Sequence, residues 1–219
     1  MRKRENLNDR LRSELVENVK RNINSEDPSH DILHTLRVLS NAENISKEEG
    51  GDLDVVTPAA LFHDIVCYPK NSPKNRFSVK ESAEYAETIL TKMPEYPQEK
   101  IKRVKSAILS TSFTYGKETE SIEDEIVQAA DMLDAVGVIS VMRTYGSSGV
   151  MKRAFYEPND PFAEHRELDD MKYGLDLFYT RLLTIQDKIK TKTAQKIAKR
   201  RTMILVKILD EFRKELQGK

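Results

Sequence analysis

Ala59-Ala60-Leu61-Phe62-His63-Asp64-Ile65-Val66 is apolar on every side except for one adjacent His-Asp pair. Thr57 is placed to cap a helix here, with Pro58 at its first position and Pro69 as its stop. A helix that is apolar all round is normally buried. A buried aspartate is costly unless it is paired or binds a metal. His63 and Asp64 therefore need partners from elsewhere in the chain.

The neighbouring segments supply candidates. A helix starting near Asp31 and running to about Glu48 carries His34, Val38, Ala42 and Ile45 on one face, so His34 stands where a core residue should stand. His30 lies one turn earlier, nearer the helix mouth. Gly50-Gly51 ends this helix. Ahead of it, Leu7, Leu11, Leu15, Val19 and Ile23 predict a first helix from about Leu7 to Asn24, broken by Asp27-Pro28-Ser29.

Downstream, Tyr68 to Phe77 reads as a loop with two prolines and the cations Lys70, Lys74 and Arg76. Ser78-Val79-Lys80-Glu81 fits a capping box for a helix with Ala83, Ala86, Ile89 and Leu90 inside. Pro97 precedes a helix with Ile101, Val104, Ile108 and Leu109, and Thr111 to Thr119 is a polar loop. Ser121 to Asp124 caps a helix whose inner side holds Val127, Ala130, Leu133 and Gly137, with Asp131 and Asp134 one turn apart on or beside that stripe. Thr144 to Glu167 reads as a long loop with Gly146, Gly149, Pro158 and Pro161, and such loops are usually functional or mobile. Two amphipathic helices close the chain, one through Leu175, Phe178, Leu182 and Ile185, the other through Ile197, Ile204, Leu205, Ile208 and Phe212. With no strand alternation and no internal repeat, the class is all-α.

The 219 residues suffice for one large domain or two small ones. Lys+Arg and Asp+Glu are equal at 36 each, so no strong nucleic-acid signal exists at the level of the whole chain. The single cysteine, Cys67, excludes an internal disulfide and suits a reducing compartment. Met1-Arg2-Lys3-Arg4 is basic, but no apolar run follows it as in a secretory signal, and no apolar run approaches a membrane span. The expectation is a cytoplasmic protein with no membrane partner.

Three helices thus place metal-capable groups on core-facing surfaces: His34, then His63 and Asp64, then Asp131. Two neutral imidazoles and two carboxylates form a plausible four-ligand set for one divalent ion, Mn²⁺, Ni²⁺, Fe²⁺, Mg²⁺ or Zn²⁺. Such an ion would activate water and polarise a phosphoryl oxygen. Taken singly, each residue has a plainer explanation. A lone His34 is more often a hydrogen-bonded core histidine, Asp64 a helix-end or salt-bridge residue, and Asp131 and Asp134 partners of Arg37 or Arg143. Three buried helices that all carry unexplained polar groups are harder to explain that way.

At these residues the chain resembles the HD superfamily of metal-dependent phosphohydrolases. The family pattern of a His, a His-Asp doublet and a distant Asp reads here as His34 in His34-Thr35-Leu36-Arg37-Val38, His63-Asp64 in the quoted stretch, and Asp131 in Ala130-Asp131-Met132-Leu133-Asp134-Ala135. The match runs from Ser29 to Arg143. Asp160-Pro161-Phe162-Ala163, the late helices and the Pro69 to Pro73 loop resemble an uncharacterised bacterial and fungal branch. The resemblance implies a helical bundle with the metal between helices and His34, His63, Asp64 and Asp131 as ligands. It implies a single HD-type domain over 1–219, with 25–143 carrying the metal motif and C-terminal helices over 150–219 packing on it. It also implies hydrolysis of a phosphate ester, often in a nucleotide, by attack of metal-activated water. Dinuclear relatives have further histidines between the doublet and the last Asp. This chain has none there, and Ser110, Thr111 and Ser112 stand where many relatives place one. One metal is therefore expected, and a metal- and phosphate-binding module with little turnover is the alternative.

The remaining site candidates follow from position. Arg37, one turn from His34, and Lys70, behind the doublet, are candidates to contact phosphate in a small phosphorylated substrate; a solvated charge is as good a reading of Lys70, and a better one of Lys74 and Arg76. Asp64 and Asp134 are candidates to position water, Asp134 as an outer partner of a ligand. His30 is either a proton donor to the leaving group or a helix-start residue.

Overall fold

The computed structural model describes residues 9–23, 28–68, 72–112 and 115–219. Nine α-helices form among them: α1 (Asp9–Asn22), α2 (Ile32–Glu49), α3 (Leu53–Phe62), α4 (Ser78–Thr91), α5 (Ile101–Ser110), α6 (Ile122–Asp134), α7 (Val138–Met151), α8 (Asp176–Thr180) and α9 (Lys192–Leu216). The all-α class holds; a single bridge between Ala154 and Tyr173 is the strand-like pairing among the described residues. No described helix is long and apolar enough to cross a membrane.

The chain divides into two compact units, one ending at Asp131 and the other running from Met132 to Lys219 and taking in Ser29. In the first, α3 is the central element and touches α1, α2, α4 and α5. Every residue from Val55 to Phe62 is buried, as the all-apolar reading requires. Truncating Leu61 or Phe62, both fully buried, would cost roughly 2–5 kcal/mol.

The helix begins earlier than the sequence suggests. Asp52, not Thr57, is the N-cap, its Oδ1 accepting from Asp54 N at 3.1 Å, and Pro58 lies inside the helix. An interior proline removes one helical donor and orphans the carbonyl four residues back. That carbonyl belongs to Asp54, and the Tyr96 hydroxyl donates to it at 2.7 Å. The start of α3 is further tied by Lys100, whose Nζ lies 2.5 Å from Asp54 and 3.0 Å from Asp52. Arg103 bridges Asp52 at 3.0 Å and Glu123 at 2.9 Å. Pro69, the expected stop, lies outside the described residues, as do Leu7 and Asn24; α3 ends at Phe62.

Asp31 caps α2 as expected, accepting from His34 N at 2.9 Å. The capping box at Ser78 does not form: α4 has no side-chain cap. Instead the Ser78 hydroxyl accepts from Tyr68 N at 3.2 Å and Glu81 accepts from the Tyr68 hydroxyl at 2.7 Å. The cap of α6 does form, with Asp124 N donating to Ser121 Oγ at 3.1 Å. Asp124 is fully buried and also accepts from Ser106, Lys117 and Glu120 N, fixing the loop ahead of α6.

In the second unit, the segment read as a loop from Thr144 onward is helical to Met151, where Lys152 closes α7 in the left-handed region at φ 53°. The helix Leu175–Ile185 is instead a five-residue helix, α8, followed by a 3-10 turn over Leu182–Asp187. Between α7 and α8 an irregular segment is held by buried Asp176, which accepts from Arg166 at 2.5 and 2.7 Å and from Asp169 N at 2.7 Å.

Candidate metal centre

Three segments of the first unit converge on one point. His34 comes from the first turn of α2, His63 and Asp64 from the turn that ends α3, and Asp131 from α6. His34 Nε2 lies 3.2 Å from His63 Nε2. Asp64 Oδ2 is 3.5 Å from His34 Nε2 and 3.6 Å from His63 Nε2. Asp131 Oδ1 is 3.5 Å and 3.7 Å from the same two nitrogens.

These separations fit a shared cation. Donors about 2.1 Å from one ion stand roughly 3.0–3.4 Å apart in octahedral or tetrahedral geometry. The donor atoms of His34, His63 and Asp131 all lie within 4.8 Å of one another. Asp64 reaches both imidazole nitrogens from beside this triad.

The end of α3 explains how His63 is aimed. Because the helix stops at Phe62, the Ala60 carbonyl lacks its usual helical donor, and His63 Nδ1 sits 2.9 Å from it. A carbonyl only accepts, so Nδ1 must carry a proton. The neutral ring then presents its lone pair at Nε2, toward the cluster. Such a bond is how proteins fix the tautomer of a metal-binding histidine. The structure thus places the doublet one step beyond the helix in which the sequence reading put it.

Burial divides the site. Both histidines are essentially inaccessible, whereas the Asp64 and Asp131 side chains retain 27% and 31% of their exposure. The open side is therefore the carboxylate side. His30 joins it, with Nε2 3.9 Å from Asp64 Oδ2 and its ring 5.8 Å from that of His34.

The electrostatics follow. Burial alone would depress His63, but the Asp64 and Asp131 carboxylates outweigh it and raise its pKa from 6.5 to about 9. Burial would raise Asp64, yet charged His63 and the hydrogen bond from His34 hold it well below the usual carboxylate range. Asp131, half-buried beside His63, would likewise be raised by burial but is lowered by its hydrogen bond and charge contact with that ring. In the metal-free protein the cluster is held together by a proton where a cation fits.

The structure brings together His30, His34, His63, Asp64 and Asp131. Asp134, one turn after Asp131, is buried with its carboxylate 3.2 Å from Arg143, whose Nε donates to Ser29 O at 2.9 Å. This is one of the ion pairs the sequence left open. Arg37 is partly buried on α2. Lys70 lies outside the described residues. Ser110 spends its hydroxyl on the Ala107 carbonyl at 2.8 Å, Cys67 is partly buried, and His165 is exposed in the second unit. Sequence reasoning missed the Ala60 carbonyl behind His63. It also missed Asn41, whose side chain donates to Ala130 O at 3.2 Å and anchors α6 beside Asp131. Neither leaves a signal in the sequence, since one is a backbone atom and the other a common surface amide.

Comparison with known proteins agrees with this geometry. Residues 32–136 match the HD domain family, a span that contains His34, His63, Asp64 and Asp131. The uncharacterised protein YpgQ of Bacillus subtilis is 28% identical over 200 residues, covering 90% of this chain and 89% of YpgQ. The crystal structure of YpgQ in complex with ADP superposes with a TM-score of 0.72 at 27% identity, covering 94% of this chain and 98% of that one. The Lin1889 protein of Listeria innocua is 30% identical, with a TM-score of 0.70 over 94% of this chain and 97% of its own. A structure described as an HD-superfamily hydrolase from Bacillus thuringiensis is 26% identical, with a TM-score of 0.70 over 96% and 99%. The matching family model and the whole-length relatives lead to one conclusion: the chain belongs to the HD superfamily.

Proposed function

We propose that the protein is a metal-dependent phosphohydrolase that acts on a nucleotide or another small phosphate ester, with one divalent ion held by His34, His63, Asp64 and Asp131. The observation that carries this reading is the convergence of two imidazole nitrogens and two carboxylate oxygens, 3.5–3.7 Å apart, on a point open only on the carboxylate side. Nitrogen with carboxylate oxygen suits Mn²⁺, Fe²⁺, Ni²⁺, Zn²⁺ and, less well, Mg²⁺. When bound, such an ion supplies Lewis acidity toward a phosphoryl oxygen and toward the attacking water. The ADP in the YpgQ structure supports a nucleotide as the ligand.

The chain's own residues divide the remaining work. His30, on the open side, is the proposed proton donor to the leaving oxygen. Asp64, beside it, orients His30 and the water. Arg37 and Lys70 are the proposed phosphate contacts, assigned from sequence position. Asp134 is proposed as a positioning residue: paired with Arg143, it fixes the end of the helix that bears Asp131.

The test is release of phosphate or pyrophosphate from a panel of nucleoside mono-, di- and triphosphates and sugar phosphates, with each divalent ion in turn and with chelator. Metal-dependent turnover that disappears in Asp64→Ala supports the reading. Tight ADP binding with no turnover on any substrate and any ion would replace it with the metal- and phosphate-binding module.

A further inference from the structure

Helix α6 is moored on two sides, and the two moorings differ in kind. On one side Gln128 donates to the Ser110 carbonyl at 2.6 Å. Ser110 is the last residue of α5, where carbonyls lack helical donors, so this bond caps α5. On the other side Asn41 donates to the Ala130 carbonyl at 3.2 Å. Here no donor is wanting. α6 runs on to Asp134, so the Ala130 carbonyl already accepts from the amide four residues ahead. What Asn41 adds is a fixed distance between two helices.

This tie lies in line with two other contacts. Glu123 Oε1 accepts from Asp52 N at 3.0 Å. Gly51 has a φ of 100°, and a Cβ on it would come within 2.7 Å of the Ile126 side chain. Positions 123, 126 and 130 share one face of α6, so this face runs along α2 and the turn that follows it. Asn41 holds the end of that line, next to Asp131. Position 131 falls between the face of 130 and the face of 128, so the Asp131 side chain leaves the helix between the two moorings. On α2, Asn41 follows His34 by seven residues, two turns on the same face. One helix thus supplies a candidate ligand and, about 10 Å further along its axis, grips the peptide that precedes another.

We infer that Asn41 is a positioning residue, which sets the separation of His34 and Asp131 and through it the affinity for the metal. The inference rests on the reading of the cluster as a metal centre. His34 Nε2 and Asp131 Oδ1 stand 3.5 Å apart. An ion binds them without bending the chain only if α2 and α6 already stand at the right spacing. Asn41 provides that spacing in the absence of the ion, because an amide and a carbonyl hold each other whatever the charge of the cluster. Groups behind a ligand that fix its place typically change metal affinity roughly 10–100-fold when they are removed.

Calorimetric titration of the metal-free full chain with Mn²⁺ tests this, with the electron paramagnetic resonance of the bound ion as a second readout. Asn41→Leu keeps the size of the side chain and removes the donor. It should bind Mn²⁺ roughly 10–100-fold more weakly than the wild type, with an altered zero-field splitting. Metal-free melting should move little, because the Ala130 carbonyl keeps its helical donor. Asn44→Leu, at an exposed position of the same helix, should leave affinity and spectrum as in the wild type. If Asn41→Leu misfolds, Asn41→Asp takes its place, since it removes the donor at nearly constant shape. Wild-type affinity and spectrum in the folded variant would overturn the inference. So would a loss of affinity fully matched by a loss of metal-free stability, which marks an ordinary packing role. A wild type that takes up neither Mn²⁺ nor Ni²⁺ would instead overturn the metal reading, and this inference with it.

Discussion

The Tyr96 hydroxyl donates at 2.7 Å to the Asp54 carbonyl oxygen, the acceptor that Pro58 leaves without its helical donor. One distant side chain thereby repairs the helix that delivers His63 and Asp64. Burial of the tyrosine, with the Asp54 and Asp52 charges nearby, pushes its pKa upward, so it remains a donor at any working pH.

Tyr96→Phe should therefore destabilise the protein by about 1–3 kcal/mol, the cost of an unsatisfied buried acceptor. Urea unfolding should show a lower midpoint with an unchanged slope. No loss would mean that water replaces the hydroxyl at Asp54.

Asp64→Ala should abolish turnover and lower metal affinity by at least roughly tenfold, or about 1.4 kcal/mol, in a protein that keeps its helical circular dichroism. The same change removes one of the two charges that raise His63. The His63 resonance in the metal-free variant should accordingly titrate lower than in the wild type. Unchanged turnover would remove Asp64 from the mechanism.

Metal uptake should be coupled to proton release. A His63 pKa of about 9 means that the metal-free ring is charged at pH 7, and a ligand must be neutral. Affinity should rise with pH between about 7 and 9, then level off. Calorimetry in buffers of different ionisation enthalpy measures the protons released, and zero would contradict the assignment. The sign for metal-free stability is opposite. His63 is raised above its unfolded value of 6.5, so its contribution is full below pH 6.5 and is lost as pH climbs through about 9.

Asp134→Ala should act on stability. It leaves Arg143, only 15% exposed, without its carboxylate, and breaking a buried pair costs roughly 3–5 kcal/mol. A rise in KM or a fall in kcat without loss of stability would instead place Asp134 in the chemistry.

Lys70→Ala should lower kcat/KM by about tenfold while metal content stays constant, a loss of roughly 1.4 kcal/mol. Lys74→Ala should do little, since Lys74 is exposed with Nζ 5.9 Å from the Tyr68 ring centre. Equal small effects would make the segment a surface connection.

The site was more legible than the path of the chain. His34 on an apolar helix face and a charged doublet in an apolar run are local anomalies, and the structure brings them together. Pro58 misled because a proline at the first helical position is the common case. Its tolerance depends on Tyr96, thirty-eight positions away in sequence and invisible to any local pattern. Ser78 and Glu81 have the spacing of a capping box, but Tyr68 draws both side chains away. Thr144 to Met151 read as a loop because glycines and serines dominate it. It folds as a helix whose polarity is reversed, so the usual rule about which face is apolar gives no help.

The cluster also fixes what the unfolded chain must do to recover its ligands. His34 and Asp131 are separated by about a hundred residues, a long loop to close against chain entropy, and only His63 and Asp64 are neighbours in sequence. Outside the native state the donors are dilute with respect to one another. Affinity for a cation and the folding equilibrium of the first unit are thus two readings of one free energy. A chelator should behave toward this protein as a mild denaturant, although it touches no part of the polypeptide.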